Sequence, residues 1–309
     1  MTAAAIRVSR GWLALREPAD AAARALDLVD YLRQLPPATG RWVIHDLGCG
    51  AGAMGRWLAP LLSGPQHWVL HDRDADLLEV AVAVRPGRPA DGAAVTLEAR
   101  SSDVTRLNQR DVSDAALITA SSLLDLLTEE ELARLIKLCA GPRCPMLLTL
   151  SVVGHVELTP AHPLDRRVGA AFDAHQRRVT EWGRLLGPDA VALAVEHFGR
   201  LGAEVRVRPS PWRLCAPQAA LAAEWFTGWV GAACEQDVEL GTEAKLYTRR
   251  RLAQAAAGEL AVTVAHADLL VSPRRGRDRR ACVRPLGRGG QVAGDIGFDQ
   301  PVSNRDESA

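Results

Sequence analysis

The segment His45-Asp46-Leu47-Gly48-Cys49-Gly50-Ala51-Gly52 places one carboxylate and then a glycine at every second position. It follows the apolar run Trp42-Val43-Ile44 and precedes the helix-forming stretch 54–62. Glycine lacks a Cβ, so a loop with this spacing can press against a ligand and take dihedrals closed to other residues. A carboxylate at the strand end suits an ammonium group and repels a pyrophosphate. The same letters also spell G-x-G-x-x-G from Gly50 to Gly55, the dinucleotide fingerprint, which alone is a weak signal. In that arrangement the pyrophosphate sits on helix N-terminal amides, and the first glycine follows the strand directly. Here Asp46 stands two residues ahead of Gly48. A nicotinamide-dependent oxidoreductase is the competing reading.

More acids follow at strand ends. His67-Trp68-Val69-Leu70-His71 reads as a strand ending at Asp72, about 20 residues beyond the glycines, where a carboxylate can accept from ribose hydroxyls. Both cofactor types carry a ribose, so this position does not separate them. The stretch 95–99 reads as a third strand leading to Ser102-Asp103-Val104, and 115–122 as a fourth. Each acid alone could be a solvated loop residue or a helix cap. Their joint order and spacing are more specific.

Those four motifs together resemble the class I S-adenosylmethionine (SAM) methyltransferases. The resemblance implies that Asp46, Gly48, Gly50, Gly52, Asp72, Arg73, Asp103, Val104 and Ser121 line the cofactor site. It also implies a Rossmann-like, doubly wound, mostly parallel seven-stranded sheet with helices on both faces, an N-terminal helical extension and a helical insertion after strand five. Three further segments, 12–20 with Arg24, 172–178 and 209–214, resemble a bacterial small-molecule subgroup of unknown substrate. The likeness runs from about Trp12 to Pro273. One departure is Val179-Thr180-Glu181-Trp182-Gly183, where that subgroup often has Asp-Lys-Gly.

The substrate would lie under the N-terminus and the insertion. His175 is placed to accept a proton as a hydroxyl or amine attacks the methyl group; a purely structural histidine is the plain alternative. Arg16, Arg24, Arg177 and Arg178 could grip a carboxylate, which makes an acidic metabolite the expected substrate type. In so arginine-rich a chain, each arginine alone reads more readily as a structural surface ion pair. Gln176 and Asp125 complete the candidate substrate contacts, Asp125 standing where relatives often carry histidine. Trp225 and Trp229 fit a core better than a binding cage. The expected activity is methyl transfer to oxygen or nitrogen, with a non-catalytic SAM-binding protein as a further alternative.

The elements that must position these residues fit an ordinary soluble chain. Of 309 residues, 48% are hydrophobic and 24% charged, with a net charge of zero that argues for neither nucleic acid nor membrane. No apolar run reaches the roughly 18 to 20 residues of a membrane span. The six cysteines show no C-x-x-C pair, so free thiols, no metal and a cytoplasmic setting are expected. Residues 1–40 read as a helical lid, with one helix from Trp12 to Leu35 and Pro18 in its first turn. Residues 41–273 read as the catalytic domain, with a substrate-covering insertion near 154–186. Thr128 and Glu131 have the spacing of a capping box. Strand five is expected over 146–153, a last strand over 260–265 and a disordered tail over 274–309.

Overall fold

Ser9 opens the first helix by accepting from the Trp12 amide at 3.1 Å, an N-cap. The computed structural model describes residues 8–37, 39–140 and 144–273; the expected tail lies outside the described residues. In chain order the elements are α1 (Arg10–Ala23), α2 (Leu26–Arg33), β1 (Trp42–Leu47), α3 (Ala53–Leu58), β2 (Gln66–Asp72), α4 (Ala75–Val84), β3 (Val95–Ser101) and β4 (Leu117–Ser121). There follow α5 (Glu129–Ala140), β5 (Met146–Thr159), α6 (Asp165–Gln176), β6 (Val179–Thr180), β7 (Gly183–Arg184) and α7 (Ala190–Arg200). The last are β8 (Glu204–Pro209), β9 (Trp212–Leu214), α8 (Ala219–Gln236), α9 (Gly241–Ala256) and β10 (Ala261–Ser272).

The main sheet runs β3-β2-β1-β4-β5-β10-β8, with β9 also paired to β10. Neighbours from β3 to β5 are parallel, whereas β10 is antiparallel to β5, β8 and β9. This is the expected doubly wound, mostly parallel sheet, with β9 as an added eighth strand. Strand order reverses between β1 and β4, and such a reversal leaves a crevice at the carboxyl ends of the strands. β1 and β4 are buried almost throughout, as strands covered by helices on both faces must be. Thr128 and Glu131 close the expected capping box ahead of α5: the Glu131 amide donates to Thr128 Oγ1, and the Thr128 amide donates to Glu131 Oε2 at 2.9 Å.

Two expectations need correction. The N-terminal helix is two helices, and Pro18 lies inside α1 rather than in its first turn. The break falls at Arg24, which turns extended at φ −58°, ψ 137°, while the next amide, Ala25, donates to Asp268 Oδ2 at 2.9 Å. A buried carboxylate thus takes a donor that would otherwise continue the helix. Strand five and the last strand are also much longer than expected, reaching Thr159 and Ser272.

Their length comes from a bent two-strand ribbon. The inner half of β5 pairs with β4, and the outer half continues with β10 alone. At the bend Leu150 has φ +56° and the register shifts between Ala267 and Leu269. Such bulges redirect a strand without ending it. Beyond the bend, Leu158, Val262 and Val264 pack with Phe226, Trp229 and Tyr247 in a core separate from the clusters around the parallel strands. Trp229 is therefore a core residue, with Trp225 stacked on it at 5.3 Å. Trp12 and Ala19 of α1 join this second core, while Leu28 and Leu32 of α2 join the cluster under β1. The N-terminal helices α1 and α2 belong to the same compact unit as the sheet.

Candidate active site

Where β1 leaves the sheet, Gly48, Gly50 and Gly52 take φ of +66°, +51° and +83°. A Cβ on Gly52 would lie 3.1 Å from the Cβ and 3.3 Å from the Cα of Ala81, so dihedral and packing both demand glycine there. A Cβ on Gly50 would touch Leu13 of α1, and one on Gly48 would touch Leu123 after β4. The glycine loop is thus roofed by α1 and by the segment following β4. Glu17 of α1 adds a two-pronged ion pair with Arg56 of α3, both contacts at 2.6 Å.

Asp46 lies just before this loop and is 1% exposed. Thr119 Oγ1 donates to its Oδ1 at 2.7 Å, while its Oδ2 is buried without a hydrogen-bond partner among the described residues. Burial pushes its pKa up to about 7 despite Thr119 and the Arg24 charge. Asp72 ends β2 and fastens the loop: its Oδ2 accepts from the Gly50 amide at 2.8 Å and its Oδ1 from the Asp74 amide at 2.9 Å. Behind these carboxylates His45 and His71 stack in the core, Nδ1 to Nε2 at 3.0 Å, and burial pushes the His71 pKa down to about 4. His71 also contacts Ser102 at 3.0 Å, and the Ser102 amide donates to Asp72 O, so the end of β3 is tied to the end of β2.

Asp103 therefore sits beside Asp72, its Oδ1 accepting from the amide and hydroxyl of Thr105. Val104 begins the short turn that this cap closes, and Arg73 is exposed just past Asp72. Ser121 is held from two sides, its Oγ accepting from Arg24 Nη2 at 3.2 Å and from Thr149 Oγ1 at 3.1 Å. Arg16 donates to Ser122 Oγ at 2.7 Å, pairs with Asp20 at 2.9 Å and lies 5.0 Å above the Trp212 ring. Asp20 is buried and also accepts from Trp212 Nε1 at 3.0 Å.

The remaining substrate candidates gather elsewhere. Asp125, His175, Gln176 and Arg178 line a cavity of about 170 Å³ together with Phe172 and Ala232. Asp125 Oδ1 and Gln176 Oε1 are buried without hydrogen-bond partners among the described residues, and burial raises the Asp125 pKa against the pull of Arg16. His175 Nε2 lies 3.1 Å from Glu235 Oε2. Arg177 does not join this group. Its guanidinium forks Asp189 with two contacts at 2.7 Å, so the expected four-arginine carboxylate pocket does not form.

Sequence reasoning missed the groups that hold these residues. Asp268, 0% exposed, accepts from the Leu150 and Ala25 amides and from Ser210 Oγ. Its signal was a lone acid inside the apolar run 260–271. Thr119 and Trp212 lie inside the stretches 115–122 and 209–214 already marked by their resemblance, but neither was named as a site residue. Among the described residues no helix is long and apolar enough to cross a membrane, and no group of His, Cys, Asp or Glu is placed to hold a metal. The described cysteines are free thiols.

No protein-family model and no curated protein matches the chain. Among solved structures, a cyclopropane synthase of Mycobacterium tuberculosis, MmaA2, is similar at TM-score 0.47 and 14% identity, over 86% of this chain and 94% of that one. A SAM-dependent methyltransferase of Geobacter sulfurreducens, in complex with S-adenosyl-L-homocysteine, gives 0.42 and 14%, over 87% and 100%. The YcgJ protein of Bacillus subtilis gives 0.45 and 10%, over 82% and 100%.

Proposed function

We propose that this chain is a SAM-dependent methyltransferase acting on an oxygen or nitrogen of a small metabolite. The observation that carries the reading is Asp46 Oδ2, a buried carboxylate oxygen without a hydrogen-bond partner among the described residues, beside a loop of left-handed glycines. Leaving such an acceptor unmet is costly, and an ammonium group would satisfy both its charge and its lone pairs. A diphosphate would instead face Asp46 and Asp72 together. Asp46 with the glycine loop would hold the methionine end, Asp72 with Arg73 the ribose, and Asp103 with Val104 the adenine, while Ser121 stands beside the donor. When bound, the cofactor supplies a methyl group already electrophilic on its sulfonium.

What remains for the protein is alignment, exclusion of water and removal of a proton. Positioning alone can contribute on the order of 7 to 11 kcal/mol in favourable cases. α1 and Leu123 pack against the glycine loop and would help to exclude water. The cavity bounded by Asp125, Gln176 and His175 is the proposed seat of the nucleophile, and Arg178, whose Nη1 donates to the His175 carbonyl at 3.2 Å, would turn its other guanidinium nitrogen to a substrate carboxylate. His175, backed by Glu235, would take the proton at imidazole nitrogen.

Calorimetric titration with SAM, its demethylated product and NAD tests the reading. Binding of the adenosyl ligands and not of NAD supports it; tight NAD binding without a response to SAM sinks it. Asp72→Ala is predicted to weaken SAM binding at least about tenfold, since the residue anchors the Gly50 amide and would also accept from the ribose. Unchanged affinity would remove Asp72 from the site. His175→Ala is predicted to lower turnover by about a hundredfold or more while leaving SAM affinity within about twofold. Equal loss of both would make His175 structural. Turnover is read as SAM consumption against a metabolite panel, and a chain that binds SAM but consumes none with any substrate would be a non-catalytic binder.

A further inference from the structure

Arg24 is a buried cation whose charge is balanced but whose hydrogen bonds are not. It is 3% exposed, and the carboxylates of Asp20, Asp268 and Asp46 all act on it. Only its Nη2 is used, on Ser121; Nε and Nη1 have no hydrogen-bond partner among the described residues. The surrounding carboxylates are engaged elsewhere. Asp20 accepts from Arg16 and Trp212, Asp268 accepts from two amides and a hydroxyl, and Asp46 Oδ1 accepts from Thr119. Buried guanidinium nitrogens are otherwise nearly always paired, and their fork matches a carboxylate.

The position of this cation gives the inference its direction. Arg24 lies 5.1 Å over the Trp57 ring of α3 and touches Ser121 at the end of β4. It therefore sits where strand order reverses, on Ser121 two residues along β4 from Thr119, which holds Asp46 Oδ1 and leaves Oδ2 unpartnered among the described residues. Unmet donors on a cation and an unmet acceptor on an anion, side by side, are complementary to an α-amino acid, which presents a carboxylate and an ammonium on one carbon. We infer that Arg24 holds the carboxylate of the methionine end of SAM while Asp46 takes its ammonium, so that the junction of α1 and α2 belongs to the cofactor site and not to the substrate pocket. This rests on the methyltransferase reading above. It reassigns Arg24 from the substrate contacts expected from sequence.

The test varies ligand and residue together. The full chain and its Arg24→Gln and Arg24→Lys variants are titrated calorimetrically with SAM and with decarboxylated SAM, which differ only in the carboxylate. The wild type should bind SAM at least about tenfold more tightly than the decarboxylated form, as a charge-assisted hydrogen bond warrants. Arg24→Gln should bring the two ligands to within about threefold by weakening SAM alone. Arg24→Lys keeps the positive charge among the buried carboxylates, covers the case in which the glutamine variant does not fold, and should retain only part of the preference. Equal affinities in the wild type, or a full preference surviving in the variants, overturns the inference while leaving the methyltransferase reading intact. Failure of the wild type to bind either ligand overturns both.

Discussion

Asp268→Ala should lower the melting temperature by roughly 10 °C, the largest stability effect we predict for a single substitution. Asp268 is 0% exposed and serves three donors from distant parts of the chain: Ala25 N between α1 and α2, Leu150 N at the bend of β5, and Ser210 Oγ between β8 and β9. Removing the carboxylate strands these donors at about 1–3 kcal/mol each, only partly offset by relief of the buried charge. A net loss on the order of 4 kcal/mol corresponds to about 2–4 °C per kcal/mol in a domain of this size. Asp268→Asn keeps one acceptor oxygen and should fall between the two. Thermal unfolding followed by calorimetry and circular dichroism would show it, and a shift below about 2 °C would mean that the three donors find other acceptors.

Asp46→Asn should weaken SAM binding by roughly tenfold to a hundredfold at about pH 8, the expected worth of a hydrogen bond to a charged group. Asparagine preserves the shape and can still accept from Thr119, so the loss would isolate the charge proposed to meet the ammonium. The pH dependence supplies an independent check. Burial raises the Asp46 pKa from the ordinary 3.8 to about 7, so the folded chain holds this proton more tightly than the unfolded one. The ligand-free wild type therefore loses stability from this group as pH rises from about 4 to about 7, and the asparagine variant does not. Ligand binding shows the opposite slope, because the ammonium selects the ionised carboxylate. Wild-type affinity should rise about tenfold between about pH 6 and pH 8 relative to the variant. Parallel pH profiles for the two proteins would exclude Asp46 as the ammonium partner.

The features legible in the residues alone are those set by short-range chemistry. Alternating apolar strands and helix-forming runs implied a doubly wound sheet, because burial on both faces and helix periodicity are written within a few residues. The glycine loop was legible for the same reason, since left-handed dihedrals at Gly48, Gly50 and Gly52 leave little choice of residue. So was the Thr128–Glu131 box, whose partners are three positions apart.

Tertiary structure decided which charges share a space. Asp20 meets Trp212 across 192 positions, and Leu150 meets Asp268 across 118. The break that carries Arg24 exists because Asp268 captures the next amide, and no local pattern at 23–26 encodes it. Arg177 likewise read as a substrate ligand until the fold brought Asp189 against it. An arginine's character is the same in every context, but its partner is chosen by whichever carboxylate the packed core leaves within reach. The chain thus declares its glycine loop locally, whereas the buried charges around that loop acquire their partners only when distant strands and helices close over them.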